Sequence, residues 1–247
     1  MTGGMKSVSI ETIYLPPQPI RKNIMATQDE LKRVAAEKAV EFVPENEYIG
    51  IGTGSTINIF IEALGKSGKQ IKGAVSTSVK SSELLAKYGI PEVSLSDVSG
   101  LAVYVDGADE INHMLQMIKG GGGAHLNEKI VASASDKFVC IADESKYVSR
   151  LGKFPLPVEV IPHARSLVSR KLVAMGGEPE LRVGFTTFNG NQIVDVHGLH
   201  IDRPVSMEDE INRITGVVEN GIFGHNAADV LILGTEQGAK VILPGQN

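Results

Sequence analysis

Hydrophobic positions along the chain follow two periods. In ATQDELKRVAAEKAVEFV (26–43), Leu31, Ala35, Ala39 and Phe42 recur at helical spacing, and Thr27 with Glu30 three residues later has the form of a capping box. Short apolar runs follow at YIGIG (48–52), GAVSTS (73–78), LAVYVD (101–106) and KFVCIAD (137–143). Helical patterns separate them: STINIFIEALG (55–65), VKSSELLAKYG (79–89, ended by Gly89) and NEKIVASAS (127–135). Buried strands that alternate with helices, without hairpin turns, predict a parallel sheet covered on both faces. Ligands of such sheets bind at the carboxyl ends of the strands.

The pattern changes at the proline-rich LGKFPLPVEVIP (151–162). From Val158 it predicts a strand, a helix (164–175), a strand (180–187), a turn at Asn189-Gly190, a strand (192–197), a helix (206–213) and a strand (216–223). That order, βαββαβ, is a split βαβ arrangement of ferredoxin-like type. ADVLILG (228–234) reads as a short buried strand returning to the first sheet. The fold class is therefore α/β, a parallel Rossmann-like sheet domain (25–154 and 227–247) carrying an inserted, smaller α+β domain (155–226). Residues 1–24, with Pro16, Pro17 and Pro19 and no helical period, read as a poorly ordered extension. They lack the apolar core of a secretory signal and the Arg/Ser bias of a transit peptide.

Composition narrows the function classes. The chain has 247 residues, a net charge of −5 and scattered Lys and Arg, so no basic footprint points to nucleic acid. No apolar run approaches the roughly 20 residues that span a bilayer. The single cysteine, Cys140, has no internal disulfide partner and sits in an apolar run, where a buried, inert thiol is expected. A reducing cytoplasm fits that usage.

Three motifs fall short of the chemistry they suggest. GIGTGST (50–56) follows a strand and opens a helix, but the dinucleotide fingerprint needs glycine where Ser55 stands, and no ribose-binding acid lies between Glu62 and Glu83. GKS (65–67) would need glycine at Phe60 to form a P-loop. Asp195, His197, His200 and Asp202 could suggest a metal, but strand alternation explains the first pair and no further His or Cys lies nearby. No metal and no organic cofactor is expected.

Other motifs keep their chemistry. In IGTGST, Gly52 and Gly54 let the backbone approach an anion, Thr53, Ser55 and Thr56 supply hydroxyls, and a helix N-terminus follows; a simple capped turn accounts for it equally well. YVDGADEI ends a strand with Asp106 and Asp109 around Gly107 and Ala108, which a turn with an N-cap would also explain. In MIKGGGGAHLNEKI, Gly120, Gly121 and Gly122 belong to a four-glycine run between ordered-looking segments, a setting that favours a backbone cradle over a linker. Lys119 places a cation at its mouth. Glu128 stands in the first turn of the next helix, where a carboxylate is favourable even without function. Together with Lys119, Asp106 and Asp109 it becomes a candidate general base. Lys146, in IADESKYV, follows another strand end as a second cation or a solvated lysine.

At these residues the chain resembles type A ribose-5-phosphate isomerase. The resemblance runs from Met25 to about Lys240 and is carried, in order, by GIGTGST, YVDGADEI, MIKGGGGAHLNEKI, ADESK, LGKFPLPVEVIP and DVHG. It implies interconversion of ribose 5-phosphate and ribulose 5-phosphate, in the non-oxidative pentose phosphate pathway, without metal or organic cofactor. Carried over, Glu128 is the base. Thr53 to Thr56, Asp106 to Asp109 and Lys119 to Gly122 are ligand-binding loops, and Lys146 is a further substrate contact. A homodimer or homotetramer is implied, with a sugar phosphate as its only small-molecule partner. The family usually has an apolar residue, commonly Leu, where His125 stands, so His125 is expected to pack beside the base. Nothing carries over to residues 1–24.

The chemistry agrees with the residues. An aldose–ketose isomerase needs one base reaching two adjacent carbons, donors for the enediolate oxygens, and a phosphate anchor. Asp106 or Asp109 would assist ring opening. Two rival readings are a non-catalytic sugar-phosphate sensor and a coenzyme A transferase-like enzyme. The first would need a DNA-binding module that residues 1–24 are too short to form, and the second a glutamate nucleophile in another motif context.

Overall fold

The structure, a computed structural model, describes residues 26–245; the extension of residues 1–24 lies outside them. In chain order its elements begin with α1 (Gln28–Ala39), β1 (Tyr48–Ile51), α2 (Ser55–Lys66), β2 (Gly73–Ser76), α3 (Val79–Lys87) and β3 (Val103–Asp106). Next come β4 (Glu110–Ile111), β5 (Met117–Ile118), α4 (His125–Ser133), β6 (Phe138–Asp143), β7 (Leu156–Val160) and α5 (Arg165–Ala174). The chain continues with β8 (Glu178–Leu181), β9 (Gln192–His197), α6 (Pro204–Asn212), β10 (Val217–Asn220), β11 (Ile222–Phe223), β12 (Val230–Thr235) and β13 (Gly238–Ile242).

A six-stranded sheet in the order β13-β12-β6-β3-β1-β2 forms the centre. It is parallel apart from β13, which turns back antiparallel on β12 and adds an edge that the strand–helix alternation did not predict. Alternation along each buried strand assigns the two faces. Val103 and Val105, Val139 and Ile141, and Val230 and Ile232 pack under α1, α2 and α3. Tyr104, Phe138, Cys140, Leu231 and Leu233 face the other way, against α4 and a small three-stranded sheet, β11-β5-β4. The two-residue strands β4 and β5 are too short to carry a period and were not predicted.

The inserted part forms a four-stranded antiparallel sheet, β10-β7-β9-β8, from elements in the expected βαββαβ order. Two of its strands differ from expectation. β8 occupies 178–181 rather than 180–187, because after Arg182 the chain leaves the ladder through Gly184, whose φ is +73°. Val183, inside the expected strand, is 85% exposed. The last strand, expected as 216–223, is cut at Gly221. There β10 ends its pairing with β7 and β11 begins pairing with β5. Gly221 bridges the two sheets: its N–H donates to Pro157 O (2.8 Å), its carbonyl accepts from Lys119 N (2.9 Å), and an added Cβ would lie 2.2 Å from Lys119 O.

Thr27 caps α1 as expected, with its side chain accepting from Glu30 N and Glu30 accepting from Thr27 N. Replacing an N-cap threonine with alanine typically costs about 1 kcal/mol. Thr27→Ala should therefore lower the melting temperature by roughly 2–4 °C for a chain of this size. Calorimetry on the purified variant checks this, and an unchanged melt would mean that α1 is held by packing alone.

Candidate active site

From β1 the chain crosses to β2 on one side and then to β3 on the other, so a crevice opens where strand order reverses. A cleft of about 360 Å³ lies there. Thr53, Gly54, Ser55 and Thr56 line it after β1, and Gly107, Ala108 and Asp109 after β3. Lys119, Gly120, Gly121, Gly122, Glu128 and Lys146 complete the set anticipated from the sequence, with one exception. Asp106 does not line the cleft; it is fully buried behind it.

The burial of Asp106 has a local cause. Its Oδ1 accepts from the amides of Thr53 (3.0 Å) and Gly107 (2.7 Å), and its Oδ2 accepts from Lys119 Nζ (2.7 Å) and the Tyr104 hydroxyl. Gly52 makes room for it, since a Cβ there would fall 1.8 Å from Asp106 Cγ. Asp106 thus ties the β1 and β3 loops together. Asp109 is the carboxylate in the cleft, and its Oδ2 accepts from Gly121 N (2.8 Å).

Lys119 and Glu128 form the polar centre. Lys119 Nζ donates to Asp106 and to Gly107 O (2.6 Å), and lies 3.2 Å from Glu128 Oε2. That Glu128 oxygen accepts no aligned hydrogen bond among the described residues. Glu128 is the fourth residue of α4, which begins at His125, two residues before the predicted start. Burial, opposed by Lys119 and reinforced by Asp106, pushes the Glu128 carboxyl up to about 8. Burial pulls the Lys119 ammonium down, but Asp106 and Glu128 outweigh it and hold its pKa above the ordinary range.

The glycine run is packed, not loose. Gly120 (φ +104°) would place a Cβ 2.8 Å from His125 Nδ1, and Gly123 (φ +76°) 2.2 Å from the Phe185 ring. Gly121 would meet Asp109 Oδ1 at 2.8 Å, whereas a Cβ at Gly122 would meet only Thr53 Cγ2, at an ordinary 3.8 Å. His125 is fully buried, and burial lowers its pKa to about 4, so it packs as a neutral ring with Nε2 3.3 Å from Glu219 O.

The helix end expected to receive an anion keeps its first amides without a side-chain cap. Gly54 is the N-cap of α2 and supplies no side-chain cap, unlike Thr27 of α1 and Ser78 of α3, so the first amides of α2 are open to a ligand. The Thr53 hydroxyl is 2.7 Å from Ser78 Oγ and is partly committed to it. Sequence reasoning missed Gln28 and Lys32, which line the cleft from α1. Their spacing of four residues puts them on one helix face, but a lysine beside Leu31 in an amphipathic helix reads as solvated until the helix is docked. The possible metal ligands disperse: Asp195 pairs with Arg182, Asp202 with Arg150, and His197 lies 3.7 Å from Glu180.

Fold and cleft are those of an α/β enzyme with a buried carboxyl of raised pKa at the sheet's switch point. Residues 73–238 match the family of ribose 5-phosphate isomerase A (phosphoriboisomerase A). The chain is 85% identical over 222 residues to ribose-5-phosphate isomerase A from Neisseria meningitidis serogroup C, covering 90% of this chain and all of that one. The crystal structure of ribose 5 phosphate isomerase A from Neisseria gonorrhoeae superposes with a TM-score of 0.89 at 84% identity, over 90% of this chain and 100% of that one. The enzyme from Methanocaldococcus jannaschii gives 0.83 at 42% identity, over 88% and 100%. The chain belongs to the ribose 5-phosphate isomerase A family.

The glycine contacts separate a cradle from a linker. Gly120→Ala and Gly123→Ala each force a left-handed residue, costing roughly 1–2 kcal/mol before any clash. Both should lower the melting temperature by about 4 °C or more, while Gly122→Ala should leave it within about 1 °C. Equal tolerance at all three positions would restore the linker.

Proposed function

We infer that this chain interconverts D-ribose 5-phosphate and D-ribulose 5-phosphate, with Glu128 as the base that moves the proton. The observation that carries the role of Glu128 is its carboxylate, buried in the cleft and 3.2 Å from Lys119 Nζ. Ribose-phosphate isomerisation belongs to the non-oxidative pentose phosphate pathway.

The open α2 N-terminus, the hydroxyls of Ser55 and Thr56, and the cations Lys32 and Lys146 hold the phosphate. Asp109 assists ring opening. Its position on the cleft wall supports this, and the burial of Asp106 supports a scaffold role for that residue. In the open aldose Glu128 removes the C2 proton. The electron pair of the C2–H bond forms the C1=C2 bond, and O1 becomes the oxyanion of an enediolate. Lys119 and the Gly122 amide stabilise the developing charge. Glu128 returns the proton to C1, O1 takes up a proton, and O2 loses its own to become the ketone. The raised pKa of Glu128 suits a base that must both take and give a proton near neutrality.

A homodimer or homotetramer in the cytoplasm is part of this reading. It rests on the family resemblance and on the single buried Cys140, and no helix among the described residues is long and apolar enough to cross a membrane. Light scattering should give a mass of two or four 26.3 kDa chains, and a 26.3 kDa particle would overturn the assembly.

Glu128→Gln tests the mechanism. Turnover of ribose 5-phosphate should fall by roughly two to four orders of magnitude and exchange of the C2 proton with solvent should stop, while substrate affinity changes little. In the wild type kcat/KM should rise with pH along an acid limb near 8, because the base works only when deprotonated and burial holds it protonated below that pH. An acid limb near the ordinary 4.5, or near-wild-type turnover in Glu128→Gln, would transfer the role to Asp109.

A further inference from the structure

Arg182 lies in the inserted part of the chain, just after β8, and does not line the cleft. Its guanidinium is nevertheless committed to the glycine loop. Nε donates to Asp195 Oδ2 (2.8 Å) and Nη2 to Asp195 Oδ1 (2.5 Å), a two-point grip that fixes the fork. Nη1 donates to the carbonyls of Gly120 (3.1 Å) and Gly121 (3.2 Å). The ring of Phe185, 5.4 Å from the guanidinium, packs against Gly123.

A trans peptide points its C=O and its N–H in opposite directions. With the Gly120 carbonyl on Arg182, the Gly121 N–H faces away from it and meets Asp109. With the Gly121 carbonyl on Arg182, the Gly122 N–H likewise faces away. It has no hydrogen-bond acceptor among the described residues, and Gly122 lines the cleft. We propose that Arg182, held by Asp195, is a positioning residue that aims the Gly121 amide at Asp109 and the Gly122 amide into the cleft, so that the inserted part of the chain sets an oxyanion donor of a site it does not enter. Its positive charge on the two carbonyls also polarises those peptides and strengthens their N–H groups as donors. The proposal rests on the isomerase reading above and deepens it.

The test pairs Arg182→Met with Asp195→Asn, so that no half-buried carboxylate is left unpaired. The double variant should melt close to the wild type. Removing an oxyanion donor outright costs about 10²–10³ in kcat. A donor that is present but badly aimed should cost roughly ten- to a hundredfold, while KM for ribose 5-phosphate changes less than about threefold because the phosphate is anchored elsewhere. Affinity for 4-phospho-D-erythronate, whose carboxylate mimics the enediolate oxygens, should fall in step with kcat, while affinity for inorganic phosphate stays unchanged. A merely structural residue would lower the melting temperature and leave both affinities in the folded protein intact. Should the double variant melt early, Asp195→Asn alone, which keeps the Arg182 charge and loosens its grip, should move kcat in the same direction by less. Wild-type kcat in both variants, or equal loss of phosphate and phospho-erythronate affinity, overturns the proposal. Turnover of the wild type in the same assay separates the two layers: an inactive wild type overturns the assigned reaction, an active one with unaffected variants only the role of Arg182.

Discussion

Asp106 and Glu128 share one ammonium, Lys119, and all three are 4% exposed or less. Burying such charges is unfavourable unless each is paired and hydrogen-bonded. The surrounding fold meets that demand unevenly. Asp106 receives two backbone amides, a tyrosine hydroxyl and the lysine, whereas one Glu128 oxygen has only the ammonium at 3.2 Å. The well-satisfied carboxylate anchors the cation, and the poorly satisfied one is the group proposed to move the proton. Gly52 lacks a side chain because the anchor fills its place, and Tyr104 is buried with its hydroxyl on Asp106. The phenyl ring of Phe223 lies 5.4 Å from the ammonium and helps to close it off from water.

The inserted four-stranded sheet and α6 are bound to this centre through a second buried lysine. Lys129, next to Glu128 on α4, donates to Glu208 and Glu219 and to the carbonyls of Asn220 and Ile222. Gly221 lies between those two carbonyls and bonds the backbone of Lys119. One lysine faces the cleft and its neighbourhood is fixed by the other, so α4 is held from both sides. A carboxylate proposed as the base, on the first turn of that helix, gains its precision from the clamp, since packing and outer hydrogen bonds lock the rotamers that chemistry needs.

Much of this was legible because long elements announce themselves. The α1 cap, the buried strands and the loops after β1 and β3 could be read from period, cap chemistry and glycine placement. What stayed hidden was set by tertiary contact. Strands β4 and β5 have two residues each, too few for any period, and form because the Asn112–Gln116 turn folds one back on the other; β11 was read only as the end of a longer strand, 216–223, that Gly221 cuts. Asp106 and Asp109 are chemically identical and three residues apart, so only the fold shows which one is buried. Lys32 and Arg182 gave no local signal. Each reaches the cleft or its loops from a distant part of the sequence, and Arg182 lies in the expected strand 180–187 where the actual strand has already ended at Leu181.

In the proposed mechanism the raised pKa of Glu128 also sets activity against stability. In the unfolded chain this carboxyl titrates near its model value of 4.5, while in the fold burial raises it to about 8. Between those values the native state holds a proton that the unfolded state has released. Stability from this group is therefore complete below about 4.5 and declines as pH rises through the native pKa. The base, however, works only once that proton is gone. Each increase in pH that arms Glu128 weakens the fold around it, and the compensation has to come from groups that do not titrate there. The backbone amides on Asp106, the glycine contacts of the loop and the apolar layers on both sheet faces are such groups. A destabilised carboxylate can be tolerated at this site because the rigid parts of the structure converge on it.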